Sequence, residues 1–344
     1  MAVKRSAPPL AISMGDPAGI GPEVILKAAR QMAGKKRAAP ALVVIGDIGA
    51  MRATARRLGA VPEPYSWKPG ERPVPLARGL PVLGLGELSV AAIRPGAPSV
   101  EGAGAAYNYI VKGARMALAG EASGLVTAPI SKEWLNRAGH HFPGHSELLA
   151  KLSRTRLWRM MFAGDQLKLV LVTVHVGLAR VSRMLNREMV FQTIRLMSEH
   201  LRGEMGIARP RLAVLGFNPH AGEHGLFGNE EIRAITPAIE QARRSGIDAY
   251  GPLPPDTAFV RWSGAFEFDA AVAMYHDQGL IPLKTLEFDR AVNVTLGLPM
   301  VRTSPDHGTA YDIAGTGKAN AESMIAAIEY ARRAVARRRP RRGA

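Results

Sequence analysis

Leu167–Gly177 reads LKLVLVTVHVG. It is an almost unbroken aliphatic run of strand length that delivers a histidine at its end. A strand apolar on both faces is buried on both faces, the habit of parallel sheets covered by helices. Two further runs repeat the pattern. RLAVLGFNPHAG, Arg211–Gly222, leads into His220, and DAAVAMYHDQGLIP, Asp269–Pro282, closes in Tyr275, His276, Asp277 and Gln278. Between them lie segments of helical period, REMVFQTIRLMSEHLRGEMG and NEEIRAITPAIEQARRSG, the second closed by Gly246. Strands alternating with helices predict an α/β protein with mainly parallel sheets. In such sheets the working groups gather beyond the carboxyl ends of the strands. His175, His220 and His276 all stand there, which lets residues far apart in sequence converge.

The alternation extends in both directions. PLAISMGD reads as a buried strand that turns through PAGIG into the helix PEVILKAARQM, with Pro22 in the tolerated first turn. ALVVIGD is a second strand, and the proline-rich residues 62–82 read as a surface loop. GAAYNYIVKGARMALAG is helical, GLVTAP a strand and SKEWLNRAG a helix. AVNVTLGLP reads as a strand and AESMIAAIEYARRAVARR as a terminal helix.

The 344 residues suffice for about two domains, and 47% hydrophobic content supplies their cores. No run approaches the ~18 apolar residues of a membrane span. Asp16 interrupts the short N-terminal apolar run, so no secretory signal is read. There is no cysteine, which excludes disulfides, thiolate ligands and cysteine nucleophiles and makes the cytoplasm the expected compartment. The net charge is +16, but Ala331–Ala344 holds seven arginines and no acid, which leaves +9 for the rest. No aromatic-studded basic groove or nucleic-acid motif accompanies this charge. The basic tail reads as a solvated helix end. An anion- or nucleic-acid-binding protein driven by it is the alternative of another class.

Three neutral imidazoles suit zinc, cobalt or nickel better than calcium. Asp277, beside His276, reads as support for a ligand or as a turn cap. In LKTLEFDRAVNVTLGLPMVRTS, the cations Lys284 and Arg302 fit a phosphate or carboxylate clamp. Taken alone, they read first as solvated cations at strand ends. Asn293 interrupts the apolar segment between them. FPGHSELLAKL places His145 and Ser146 before a helical run, with Ser146 a candidate N-cap and the helix N-terminus an anion site. The glycine-rich stretches lack G-x-G-x-x-G spacing, and no Walker lysine motif is present, which disfavours a Rossmann site or a P-loop kinase. DHGTAYDIAGTGKAN, Asp306–Asn320, resembles the adenosine-binding loop of isopropylmalate and isocitrate dehydrogenases. On that likeness Gly308, Thr309, Ala310, Asp312, Ile313 and Asn320 are the cofactor-binding candidates, for NAD or NADP.

Taken together, MGDPAGIGPE, TAPISK, GHSELLA, NPHAGEHGLFGNEE, GPLPPDT, YHDQGLIPLKTL, VNVTLGLP and RTSPDHGTAYDIAGTGKA resemble the 4-hydroxythreonine-4-phosphate dehydrogenase family, in the family's order. The resemblance implies a homodimer of subunits with two α/β/α domains and an interdomain cleft, like isocitrate and isopropylmalate dehydrogenases. It places a first domain at 1–135 plus 305–338, a second at 136–304 and a basic tail at 339–344. It implies one divalent ion (zinc, cobalt or magnesium) on His175, His220 and His276. Substrate contacts fall on His145, Ser146, Lys284, Asn293 and Arg302. The general base stays open between Lys284, Asp256 and water on the metal. The family commonly has threonine where Ser146 stands, proline at Gly177 and a smaller residue at His224, so a paralogue is an alternative. Such relatives oxidise 4-phospho-threonate, 4-phospho-erythronate or dihydrodiols of aromatic acids.

Overall fold

The computed structural model describes residues 7–33, 41–59, 61–261 and 263–338. The expected basic tail at 339–344 lies outside them. The chain forms two compact units, one of residues 1–156 with 298–335, the other of residues 157–297 with 336–344.

The first unit holds β1 (Leu10–Ser13), α1 (Gly21–Ala33), β2 (Leu42–Gly46), α2 (Ile48–Leu58), β3 (Pro64–Ser66), β4 (Leu80–Gly84), α3 (Val100–Leu118), β5 (Gly124–Thr127), α4 (Lys132–Arg137) and α5 (His145–Leu152). β12 (Arg302–Pro305) and most of α10 (Glu322–Arg337) rejoin it late in the chain. Its strands run in the order β3-β4-β2-β1-β5-β12, all parallel. β1, β2 and β5 are buried throughout, as their unbroken apolar sequences require. Residues 62–82 correct the expectation of a surface loop, for they contain β3 and the start of β4. Pro64 opens β3, the outermost strand, where a missing N–H leaves no ladder bond unmade.

The second unit holds β6 (Arg159–Ala163), β7 (Lys168–Leu171), α6 (Leu178–Met184), α7 (Arg187–His200), β8 (Leu212–Leu215), α8 (Thr236–Arg244), β9 (Ala249–Leu253), β10 (Ala270–Ala273), α9 (His276–Glu287) and β11 (Val292–Leu296). The strand order is β11-β6-β7-β10-β8-β9. From β7 to β9 it is parallel, whereas β6 runs antiparallel to both neighbours. The tight turn between β6 and β7, closed by Gly164 N to Leu167 O at 2.8 Å, leaves only that direction. Leu280 and Leu283 of α9 are buried with Leu169, Leu171 and Ala273 of the sheet. The helix lies so close that a Cβ on Gly279 would stand 2.8 Å from Leu169 Cδ1. Any larger residue there would have to push the Leu169 side chain aside.

Among the described residues no helix is long and apolar enough to cross a membrane.

Candidate active site

In the second unit β7, β10 and β8 are immediate neighbours. The segments after them carry His175, His276 and His220, so all three leave the same edge of the sheet. Neighbouring strands lie only about 4.8 Å apart. The loop after β7 is tied to the end of β10 by Thr173 Oγ1, which donates to Met274 O at 2.7 Å. The loop after β8 is tied to it by Gln278. The Gln278 Oε1 accepts from Met274 N at 2.7 Å, and its Nε2 donates to Gly216 O at 2.6 Å. One buried amide thus couples the helix that begins at His276 to the segment that carries His220.

His175 and His276 approach with ring centroids 6.0 Å apart. The Nδ1 of His276 lies 2.7 Å from Asp277 Oδ1. A carboxylate only accepts, so Nδ1 carries the proton and Nε2 keeps a lone pair for a ligand. His220 is different. It opens a run of five left-handed residues, His220 to His224, with φ of 51, 52, 84, 42 and 56°. Left-handed backbone costs on the order of 1–2 kcal/mol per non-glycine residue. Glu231 holds the turn, its buried carboxylate accepting from Phe217 N at 2.7 Å, Asn218 N at 2.8 Å and Asn218 Nδ2 at 2.9 Å. The imidazole of His220 is left 62% exposed, with Nδ1 3.5 Å from Glu223 Oε2.

The fit of this set to a divalent ion divides. With a metal–nitrogen bond of about 2.1 Å, two coordinating rings stand with centroids up to about 6 Å apart, so His175 and His276 fit one ion. Among the described residues of one chain, no three His, Cys, Asp or Glu side chains converge as a metal site. His220 therefore does not complete the pair within a chain. Lys284 lies eight residues along α9 from His276, about 12 Å at 1.5 Å per residue, with Nζ 5.5 Å from the Phe288 ring centre. Asn293 is the second residue of β11, opposite Phe162. Asp256 stands in an exposed turn just after β9.

The first unit gathers a second set. Arg302 begins β12 and is 2% exposed; it is not a solvated strand-end cation. Its Nη2 donates to Thr127 Oγ1 at 2.8 Å. Burial pushes its pKa down to about 9, against the upward pull of the Glu147 carboxylate. His145 is the first residue of α5, and Gly144 takes the cap position without a side-chain bond. Ser146 is therefore not the cap; it is buried in the first turn. Burial holds the His145 pKa well below its usual value, and the charges of Arg302 and Lys132 add to the effect, against a backbone bond to Ala128. That bond uses Nδ1, because Nε2 is buried without a partner. His145 is thus a neutral ring presenting a shielded lone pair beside two cations.

The glycine-rich loop 306–320 belongs to the same unit and is clasped to the start of the chain. Glu23 Oε1 accepts from Ala319 N at 2.9 Å, and Lys27 Nζ donates to the Gly317 and Ala319 carbonyls at 2.6 and 2.7 Å. Tyr311 donates to Asp16 Oδ2 at 2.6 Å. Burial raises the Asp16 pKa despite bonds from Tyr311 and Ala18. Ile20 N donates to Thr309 O at 2.9 Å, and Ala310 takes φ of 41°. Asn320 Oδ1 accepts from Glu322 N at 2.9 Å, which anchors the start of α10. A Cβ on Gly308 would meet nothing within 4 Å, and Asp312 is exposed.

The family model for pyridoxal phosphate biosynthetic protein PdxA matches residues 38–331. The chain belongs to the PdxA family. A 4-hydroxythreonine-4-phosphate dehydrogenase of Geobacter metallireducens is 48% identical over 329 residues, 94% of each chain. A D-threonate 4-phosphate dehydrogenase of Pectobacterium atrosepticum is 43% identical, covering 94% of this chain and 98% of its own. Among solved structures, the 4-hydroxythreonine-4-phosphate dehydrogenase of Klebsiella pneumoniae superposes with a TM-score of 0.83 at 39% identity, covering 95% of this chain and 99% of that one. The fold and the family resemblance read from sequence therefore stand. PdxA relatives are dehydrogenases, and a dehydrogenase implies a nicotinamide cofactor. Sequence reasoning passed over the contacts of Asp16, Glu23, Lys27 and Tyr311, which shape the glycine-rich loop 306–320 of this PdxA chain. The signal available was acids set inside an otherwise apolar, glycine-rich GDPAGIGPE.

Proposed function

We propose that this chain oxidises 4-phosphooxy-L-threonine with NAD or NADP, assisted by one divalent ion, in pyridoxal phosphate biosynthesis. The observation that carries the reading is Arg302. A guanidinium is buried against desolvation only where something repays it, and here it stands beside the neutral, shielded His145. That is a built receptor for an oxyanion.

His175 and His276 would hold the ion, with His220 supplied by a second copy in a homodimer; the single-chain geometry and the exposure of His220 support that arrangement. When bound, the ion polarises the substrate hydroxyl and lowers its pKa. Asp277 fixes the tautomer and direction of His276. Arg302 and Ser146 would take the oxyanion, with His145 Nε2 accepting from a protonated oxygen of the same group, and Lys284 and Asn293 would hold the remaining polar groups. Loop 308–313 would hold the adenosine end of a nicotinamide cofactor, which when bound would supply the hydride acceptor for the carbon-bound hydrogen of the secondary alcohol. The hydroxyl proton passes to a base, for which Lys284 and Asp256 are the side-chain candidates. Lys284 shares α9 with His276. The resulting 2-amino-3-oxo acid is a β-keto acid; it releases carbon dioxide, takes up a proton and leaves 3-amino-2-oxopropyl phosphate.

The 43% identical relative favours a second reading, oxidation of a threonate or erythronate 4-phosphate; a dihydrodiol of an aromatic acid is a third. A panel separates them. Purified protein with each acid and each nicotinamide is expected to form reduced cofactor fastest from 4-phosphooxy-L-threonine. A preference of ten-fold or more in kcat/KM for the 4-phosphorylated threonate would move the assignment to the second reading.

A further inference from the structure

The oxyanion cluster of the first unit carries more charge than Arg302 supplies. Lys132 opens α4, just after Ser131, whose Oγ caps the helix by accepting from Trp134 N at 3.3 Å. Its stem passes over Gly144, the residue before His145. A Cβ on Gly144 would stand 3.8 Å from Lys132 Cε and 3.2 Å from Glu147 Oε2. Lys132 and Glu147 therefore both approach Gly144 at the entrance to α5, beside the His145 backbone. Lys132 and Arg302 both act on His145 through their charges, and Glu147 acts on Arg302. Two cations thus face one carboxylate and a neutral imidazole. His145 Nε2 and Glu147 Oε2 are both buried and both lack a partner. Two cations around a single carboxylate leave one positive charge to be answered, and the first-turn N–H groups of α5 add to it. Lys132 is exposed where Arg302 is buried, so the two approach the cluster from outside and from beneath.

We infer that Lys132 is a second cationic ligand for the oxyanion that Arg302 binds, and that Glu147 is the nearby counter-charge at the α5 entrance. The ligand group is a phosphate or a carboxylate. The inference rests on the proposed function only for which molecule carries that group.

The test uses the full, metal-loaded protein and Lys132→Met, which removes the charge and keeps the stem. Lys132→Arg is the conservative control. Inorganic phosphate is titrated calorimetrically into each. One charged hydrogen bond is worth about 1.5–3 kcal/mol, or roughly 10- to 100-fold in affinity. The Met variant is expected to bind phosphate weaker by that factor, the Arg variant to regain most of it, and KM for the phosphorylated substrate to rise more than kcat falls. Unchanged phosphate affinity with a raised KM for unphosphorylated 4-hydroxy-L-threonine assigns the same contact to the carboxylate. Unchanged phosphate affinity and unchanged KM for both acids would overturn the inference. Loss of phosphate affinity in a protein that turns over no phosphorylated hydroxy acid would uphold the anion contact and reject the proposed function.

Discussion

Arg302→Met combined with Glu147→Gln is expected to lower kcat/KM by about 10²–10³, the loss typical of removing one strong donor from an active site, without lowering the melting temperature. The two halves of this prediction have one cause. Burial depresses the Arg302 pKa to about 9 from 12.5. Between those values the unfolded chain binds more protons than the folded one, so this group's contribution to stability rises with pH there. At neutral pH the buried charge is a burden on the fold. Replacing a buried ion pair by uncharged groups of similar volume is often neutral or stabilising. The single Arg302→Met change is less clean, because it removes the positive charge that acts on the Glu147 carboxylate, whose buried Oε2 has no hydrogen-bond partner. Melting curves with and without phosphate complete the comparison: phosphate is expected to raise the wild-type midpoint and to raise that of the double variant much less, Lys132 being its remaining cation. A double variant that melts far below wild type would place Arg302 in the architecture instead of the site.

His276→Ala is expected to abolish bound divalent metal and to reduce turnover by more than about 10³, since the hydroxyl then keeps its ordinary pKa. The fold should survive. His276 is partly exposed at a helix start, while Gln278 keeps both of its backbone bonds and Leu280 and Leu283 stay in the core. Asp277→Asn is the finer probe. It leaves all proposed ligands in place but weakens the orientation of His276, with an expected 10- to 100-fold loss of metal affinity and full stoichiometry at saturating metal. Elemental analysis and competition against a chelator read both. Full metal content and near-normal turnover in His276→Ala would remove the histidines from the mechanism.

The architecture was legible wherever burial writes itself into composition. LAIS, LVVIG, KLVL, LAVL and AAVA are apolar on both faces and became buried strands. β3 was hidden because an edge strand tolerates proline and needs little hydrophobicity. The sheet order was not readable either: only the neighbourhood of β7, β10 and β8 explains why three distant histidines leave one edge, and neighbour order is a long-range property. Arg302 shows the same limit. Read locally it is a cation at a strand end, yet β5 and α5 close over it. The left-handed turn at His220–His224 has glycine at only one of its five positions, so no local signal announced it, and Glu231, which holds it, lies several residues downstream. The clasp of Glu23 and Lys27 on loop 306–320 joins opposite ends of the chain.

The most direct measurement is reduced nicotinamide formed after 4-phosphooxy-L-threonine is added to chelator-stripped protein, before and after one equivalent of divalent metal is restored. The account predicts no signal before and steady turnover after, with one carbon dioxide released per nicotinamide reduced. Equal turnover by the stripped protein, or none from the metal-restored one, would contradict it.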